Sequence, residues 1–180
     1  MDDIVKQALK KWPNVPNCHG WLGLDARGHW YLRDDATQAA GPFPQAKGSL
    51  LEHEKLLAFI GRNYEHDAEG CWFFQNGPQR VYVELEAAPW TWRLQPDGTL
   101  LSHTGRPARF ASAWLDDGGR LFADTDLGFG LLHSLDVEAA SGLVESGAWA
   151  VSELPWAEMP PRFGFVPSPQ AAQTKKPGAG

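Results

Sequence analysis

From Gln75 to Arg80 the chain reads Gln-Asn-Gly-Pro-Gln-Arg, and here its polar side chains are best spaced to hold a ligand. Arg80 presents paired N–H donors in a fork that matches a phosphate or a carboxylate. The carboxamides of Gln75, Asn76 and Gln79 can orient what the guanidinium neutralises, and backbone amides near Gly77 add donors. Tyr82 or Trp72 can supply an apolar wall, and His133 can contribute singly from further along the chain. The chemistry suits an anionic or nucleotide-like small molecule. The same residues would also make an ordinary solvent-exposed hairpin tip. Trp90 and Trp92 alternate on one face and could stack on a base; packing in a core is the stronger alternative.

Other motifs point away from catalysis. There is no phosphate-cradling P-loop, no nucleophile elbow and no zincin helix. Glu52-His53-Glu54 lacks a second His one turn on. Leu127-Gly128-Phe129-Gly130 has two dinucleotide-type glycines, no third and no strong helix behind them, and reads as a flexible turn. Cys18-His19 sets a thiol beside a base with no third group to orient it. His133-Ser134-Leu135-Asp136 carries triad letters in a segment too short for them to converge. Cys18 and Cys71 form no metal or redox spacing, which fits two free thiols in a reducing cytoplasm. The expectation is a cytoplasmic binding protein with no cofactor, no metal and no catalytic residue. A protein-interaction module using Phe163-Gly164-Phe165 or the C-terminal stretch is the second reading. An enzyme using His133 or Cys18 is a distant third.

The polar cluster sits on the stretch around which the chain is organised, Asn63 to Glu86. A Trp, two Phe, two Val and a Leu fall within fifteen residues of it. Each ring can hide ~150–250 Å², worth roughly 4–6 kcal/mol at ~25 cal/mol/Å². Cys71 to Gln75 predicts a bulky strand. Val81, Val83 and Leu85 alternate with Arg80, Tyr82, Glu84 and Glu86, which predicts a strand with one buried face. Asn76-Gly77 suits a tight turn, and Pro78 argues for a loop longer than two residues.

Elsewhere, Asp2 to Trp12 predicts a short helix ended by Pro13 and Pro16. Trp21–Leu24 and His29–Leu32 flank Asp25-Ala26-Arg27-Gly28 as a hairpin. Residues 33–47 predict a loop. Ser49 to His66 predicts the main helix, with Ser49 and Glu52 as a capping box and Leu56, Leu57, Ile60 and Tyr64 as its buried stripe. Strands are expected at Pro89–Leu94, Leu100–His103, Ala113–Leu115, Arg120–Ala123 and Leu131–Leu135, then a short helix from Asp136. The organisation expected is 1–66 (N-terminal helix, hairpin and main helix), 67–154 (a β-rich half) and 155–180 (a Pro/Gly-rich tail, disordered after about Pro167).

The chain has 180 residues and a formal charge of -6 with nine Trp. That length suits one domain or two small ones. The charge argues against a nucleic-acid polymer as partner. Lys6, Lys10 and Lys11 read as a solvated helix face. No segment approaches a membrane span, and the two Asp among the first twelve residues, with no long apolar run, lead us to expect no secretory signal there.

One pattern recurs: Asp25-x-x-Gly28-x-Trp30, Asp67-x-x-Gly70-x-Trp72 and Asp116-x-x-Gly119-x-Leu121. It fits either a duplicated fold or common turn chemistry. Two copies fall in expected hairpins; the middle one is expected to join the main helix to the central strand. The order WLGLDARGHWYL, helix, DAEGCWFFQNGPQRVYVELEAAPWTWRL, DGTLLSHTG and WLDDGGRLFAD resembles an uncharacterised family of small bacterial proteins, a domain of unknown function. It is more distantly similar to a second such family, which shares the Val81-x-Val83 to Ala88-Pro89-Trp90 segment at nearly the same length. The resemblance covers roughly residues 20–145. It implies an α+β fold of two similar small subdomains built from antiparallel hairpins with one main helix, the second half like a pleckstrin-homology sheet. It also implies a ligand site between the halves for a nucleotide-like molecule in signalling, and brings no catalytic residues.

Overall fold

In the computed structural model, which describes residues 1–176, the apolar alternation of the first half builds a six-stranded sheet. Helix α1 (Asp3–Lys11) precedes strands β1 (Cys18–Leu24) and β2 (Trp30–Leu32). Helix α2 (Asp35–Ala40) follows, where a loop is expected; the Asp34 carboxylate starts it by accepting from the Thr37 N–H at 2.8 Å. Then come β3 (Ser49–Leu50), α3 (Glu54–Arg62), β4 (Tyr64–His66), β5 (Trp72–Asn76) and β6 (Gln79–Leu85). The strand order is β3-β2-β1-β6-β5-β4, antiparallel except for the parallel pair β1–β6.

The main helix is shorter than its apolar stripe suggests. Ser49 and Leu50 pair with Leu32 and Tyr31 as a strand, so the expected capping box does not form. His53 caps α3 instead, its ring accepting from the Leu56 N–H. Asn63 ends the helix: its buried carboxamide donates to the Phe59 carbonyl at 2.9 Å and accepts from the Asp2 N–H at 2.7 Å. Tyr64 therefore sits on a strand, buried between Trp30 and Trp72. The loop between β5 and β6 has only two residues, because Asn76 and Gln79 are register partners. Gly77 adopts φ +56, and having no Cβ it escapes the restriction that Pro78 would impose on another residue.

The second half builds a seven-stranded sheet. Its strands are β7 (Trp90–Leu94), β8 (Leu100–Ser102), β9 (Pro107–Ala108), β10 (Phe110–Leu115), β11 (Leu121–Thr125) and β12 (Gly128–Leu132). Helix α4 (Val137–Glu145), β13 (Val151–Glu153) and helix α5 (Met159–Phe163) follow. The order is β13-β10-β11-β12-β7-β8-β9, with β7 and β12 parallel. Gly128–Gly130 is thus the start of a strand and not a flexible turn, with Leu127 in the tight turn before it. Trp90 and Trp92, both buried, stack at 5.8 Å and 15°, and the Trp92 indole N–H donates to the Ala123 carbonyl. Gly130 lies beside them: a Cβ there would meet Trp90 Cβ and O at 2.7 Å as well as the Trp92 indole nitrogen.

Each sheet is two three-stranded meanders joined by parallel pairing of its first and sixth strands, with β13 added in the second. All three Asp-x-x-Gly turns join the first two strands of a meander, including Asp67–Gly70, which links β4 to β5. In each the Asp carboxylate accepts the N–H four residues on: His29 at 2.8 Å, Cys71 at 3.0 Å and Arg120 at 2.7 Å. The α+β fold is a pair of similar subdomains. Their division falls after Glu86, not after His66: the first unit holds Met1–Asp25, His29–Glu86 and the chain from Phe165, the second Ala26–Gly28 and Ala87–Gly164. A cut at residue 66 would separate the paired strands β4 and β5.

The returning segment completes the first unit. The Val166 N–H donates to the Gly70 carbonyl at 3.0 Å, and the Leu85 N–H to the Pro167 carbonyl at 2.8 Å. Helix α6 (Pro169–Lys175) stands where a disordered tail is expected, capped by the Ser168 hydroxyl; the end of that expected tail, residues 177–180, lies outside the described residues. Val166 packs on Cys71, Phe73 and Tyr82. The face of β6 that alternation assigns to solvent is thereby partly covered, with Tyr82 7% and Glu84 4% exposed. The Glu84 carboxylate accepts from the Ser168 hydroxyl at 2.7 Å. Among the described residues no helix is long and apolar enough to cross a membrane.

Two substitutions test this packing. Gly130→Ala overpacks the Trp90–Trp92 pair and is expected to lower stability by about 1–3 kcal/mol in denaturant titrations. Burial raises the Glu84 carboxyl above its ordinary value, against the Ser168 hydroxyl, the Gln170 N–H and the Arg33 charge. A carboxyl raised by folding binds its proton more readily in the folded state, so its contribution is present in acid and lost as pH rises through the folded-state pKa. Glu84→Gln is therefore expected to melt above wild type at neutral pH, the gap closing as pH falls below the ordinary carboxylate range of about 4–5.

Candidate functional site

Helix α1 places Lys6 and Lys10 one turn apart on one face. The β5–β6 hairpin places Gln75 directly opposite Arg80. These side chains, with Asn17 and Pro78, line a hollow of roughly 320 Å³ in the first unit. Arg80 lies with its guanidinium carbon 3.9 Å from the centre of the Phe73 ring, and Nη1 donates to the Tyr82 hydroxyl at 3.4 Å. Among the described residues no carboxylate pairs with it. Lys6 lies 3.4 Å from Asp3 in an exposed pair, a contact of little energetic weight.

Gln75 forms the buried part of the lining at 1% exposure. Its Nε2 donates to the Gly77 carbonyl at 3.0 Å. Its Oε1 is shielded from water and has no hydrogen-bond partner among the described residues.

The residues expected from sequence are thus brought together only in part. Gln75 and Arg80 share the hollow. Asn76 is exposed at the turn, and Gln79 donates to the Pro16 carbonyl at 3.2 Å; neither lines the hollow. Tyr82 faces a second, smaller hollow. His133 belongs to the second unit, where its Nδ1 accepts from the Leu135 N–H at 3.1 Å and starts a 3₁₀ turn. Lys6, Lys10 and Asn17 are lining residues that sequence reasoning missed. Their one signal was the four-residue spacing of the two lysines, which equally fits a solvated helix face.

The second hollow, about 210 Å³, is lined by Asn17, His19, Asp67, Cys71, Tyr82 and Lys176 among others. His19 stacks on Tyr82 at 4.5 Å and 16°, and burial lowers its pKa, favouring the neutral ring. The Tyr82 hydroxyl donates to Asp67 at 2.9 Å. Ligand atoms of Asp67, Glu69 and Cys71 lie within 4.8 Å of one another, a spread that could suit a small cation. The two carboxylates already have partners, however: Asp67 accepts from the Glu69 and Cys71 N–H groups and the Tyr82 hydroxyl, and Glu69 holds Lys176 at 2.9 Å. Burial pushes the Cys71 thiol up to about 11, with the Asp67 and Glu69 charges adding to the rise. This disfavours a thiolate nucleophile. Phe163 and Phe165 are also in use: Phe163 stacks on Phe129 at 3.9 Å, and Phe165 is 4% exposed.

The family model DUF2944, described as "Protein of unknown function (DUF2946)", matches residues 1–170. The chain belongs to this family. No curated protein matches the sequence. Among solved structures, a DUF1285 family protein from Silicibacter pomeroyi DSS-3 is similar with a TM-score of 0.51 and 12% identity, over 79% of this chain and 85% of that one. A DUF1285 family protein from Shewanella baltica OS155 has a TM-score of 0.47 and 15% identity, over 68% and 91%. The first likeness shows a shared α+β fold. It agrees with the distant resemblance to a second family in the motif order.

With its thiol pushed up to about 11, Cys71 stays protonated at neutral pH. Iodoacetamide is therefore expected to leave Cys71 unmodified in the folded protein and to label it promptly in denaturant, as read by peptide mass spectrometry. Rapid labelling in the folded state would contradict the environment described for this thiol.

Proposed function

We propose that the protein binds a small anionic ligand, nucleotide-like or otherwise acidic, in the hollow beside Lys6, Lys10 and Arg80. Arg80 carries the proposal. It is half-buried over Phe73, and among the described residues no carboxylate neutralises it. A cation held partly out of water gains from an anion that replaces the lost solvation. Lys6 and Lys10 add positive charge on the same hollow in a chain whose formal charge is -6. Such local concentration of one sign favours capture of the other. The Tyr82 hydroxyl supports the geometry, because it accepts from Arg80 while donating to Asp67 and so restrains the guanidinium.

A panel of nucleotides and acidic metabolites screened by thermal shift should contain ligands that stabilise the wild type. Arg80→Ala is expected to weaken them about ten- to a hundredfold, the worth of one charge-assisted hydrogen-bonded contact. Lys6→Ala and Lys10→Ala should each cost less, and added salt should weaken binding throughout. A ligand bound equally well by wild type and Arg80→Ala would exclude Arg80 from its site.

A further inference from the structure

Lys6, Lys10 and Arg80 would accept any small anion; Gln75 would not. The bond from Gln75 Nε2 to the Gly77 carbonyl sets the orientation of the carboxamide and leaves Oε1 on its other side. That oxygen is buried, belongs to a residue lining the hollow, and receives no donor among the described residues. A buried acceptor without a donor is costly and rare. Facing a fully deprotonated oxyanion, its lone pairs would meet lone pairs. Facing an O–H or N–H, they complete a hydrogen bond.

We infer, resting on the anion-binding function proposed above, that this hollow selects an anion carrying its own hydrogen-bond donor. The class is hydrogenphosphate, or an acid or phosphate ester with a hydroxyl beside its charge. The cations neutralise the charge, and Gln75 takes the proton-bearing oxygen. Oε1 is screened from water, so the donor reaches it by displacing the neighbouring lining, while the Nε2–Gly77 bond keeps the oxygen, and not the NH2 group, as the atom presented. The opposite cross-strand placement of Gln75 and Arg80 puts the acceptor and the principal donor on the same wall. Sites that hydrogen-bond a ligand's hydroxyl discriminate strongly against analogues lacking it, because the buried partner is then left unsatisfied.

Inorganic phosphate and sulfate make a matched test. Both are tetrahedral, but only phosphate keeps a proton at neutral pH. Sulfate is at least as charged, so a preference for phosphate runs against charge and isolates the donor. Calorimetric titration of the full chain, at matched ionic strength and neutral pH, is expected to show phosphate binding at least tenfold tighter than sulfate. Gln75→Met keeps the length and all but removes the acceptor; it should bring the two affinities together by weakening phosphate. Gln75→Glu keeps an acceptor and adds a negative charge, and should weaken both anions while retaining the preference. Arg80→Ala should weaken both in the same proportion. Equal binding of phosphate and sulfate by the wild type, or a preference that survives in Gln75→Met, would overturn the selectivity and leave the anion site standing. Failure of the folded wild type to bind either anion would overturn both.

Discussion

Burial of β6 on both faces is the constraint on which the first unit depends. Val83 and Leu85 occupy one side of the strand, Tyr82 and Glu84 the other, and all four are buried. The strand is hydrogen-bonded on both edges, antiparallel to β5 and parallel to β1. Its second face is covered where the chain returns after the second unit and lays Val166 and α6 along it, and where His19 stacks on Tyr82. A polar face covered in this way needs a partner for every group. Tyr82 finds Asp67, and Glu84 finds Ser168. Arg80, at the beginning of the same strand, lies over a ring and beside a hollow. The guanidinium thus stands at the margin between buried strand and open surface.

The duplicated topology follows from local turn chemistry repeated in a long-range frame. A carboxylate that accepts the N–H four residues on, with a glycine at positive φ inside the loop, reverses the chain tightly. Repeated turns of this kind generate meanders. What makes two meanders into one sheet is parallel pairing of the first and sixth strands, which are separated by most of a unit. Trp90 shows what this closure asks of side chains: it stacks on Trp92 while its neighbour across the parallel ladder, Gly130, must have no side chain at all.

The two hollows differ in charge for a physical reason visible in their residues. Near Asp67 every carboxylate is answered by backbone N–H groups, a tyrosine hydroxyl or Lys176, so the acidic cluster is mainly turn structure. Beside Arg80 the cations come from a helix and a hairpin with no acidic residue among the lining. The hydrogen bond from Arg80 to Tyr82 and on to Asp67 links these two environments within one unit.

Much of the local structure was legible in the chain itself. Bulk identified β5 and alternation β6 and β7, two of the three Asp-x-x-Gly turns were read as strand reversals, and the opening helix was correctly bounded by its prolines. These depend on neighbours a few residues apart, where propensity and period act. The main helix was overextended because Leu50 and Tyr64 continue its apolar stripe; only pairing with β2 and β5 drew them into strands. Gln75 and Arg80 could be singled out as polar residues at one turn, but the lysines that join them come from a helix some seventy residues earlier. Sequence alone determined the strands β5 to β7, the tight Asp-x-x-Gly turns and a guanidinium at a hairpin, because those follow from short-range sterics and burial. Tertiary structure alone decided which face of β6 was covered, that His133 lies in another unit, and which cations meet at the hollow. Those outcomes depend on contacts between residues far apart in the chain, and no local pattern encodes them.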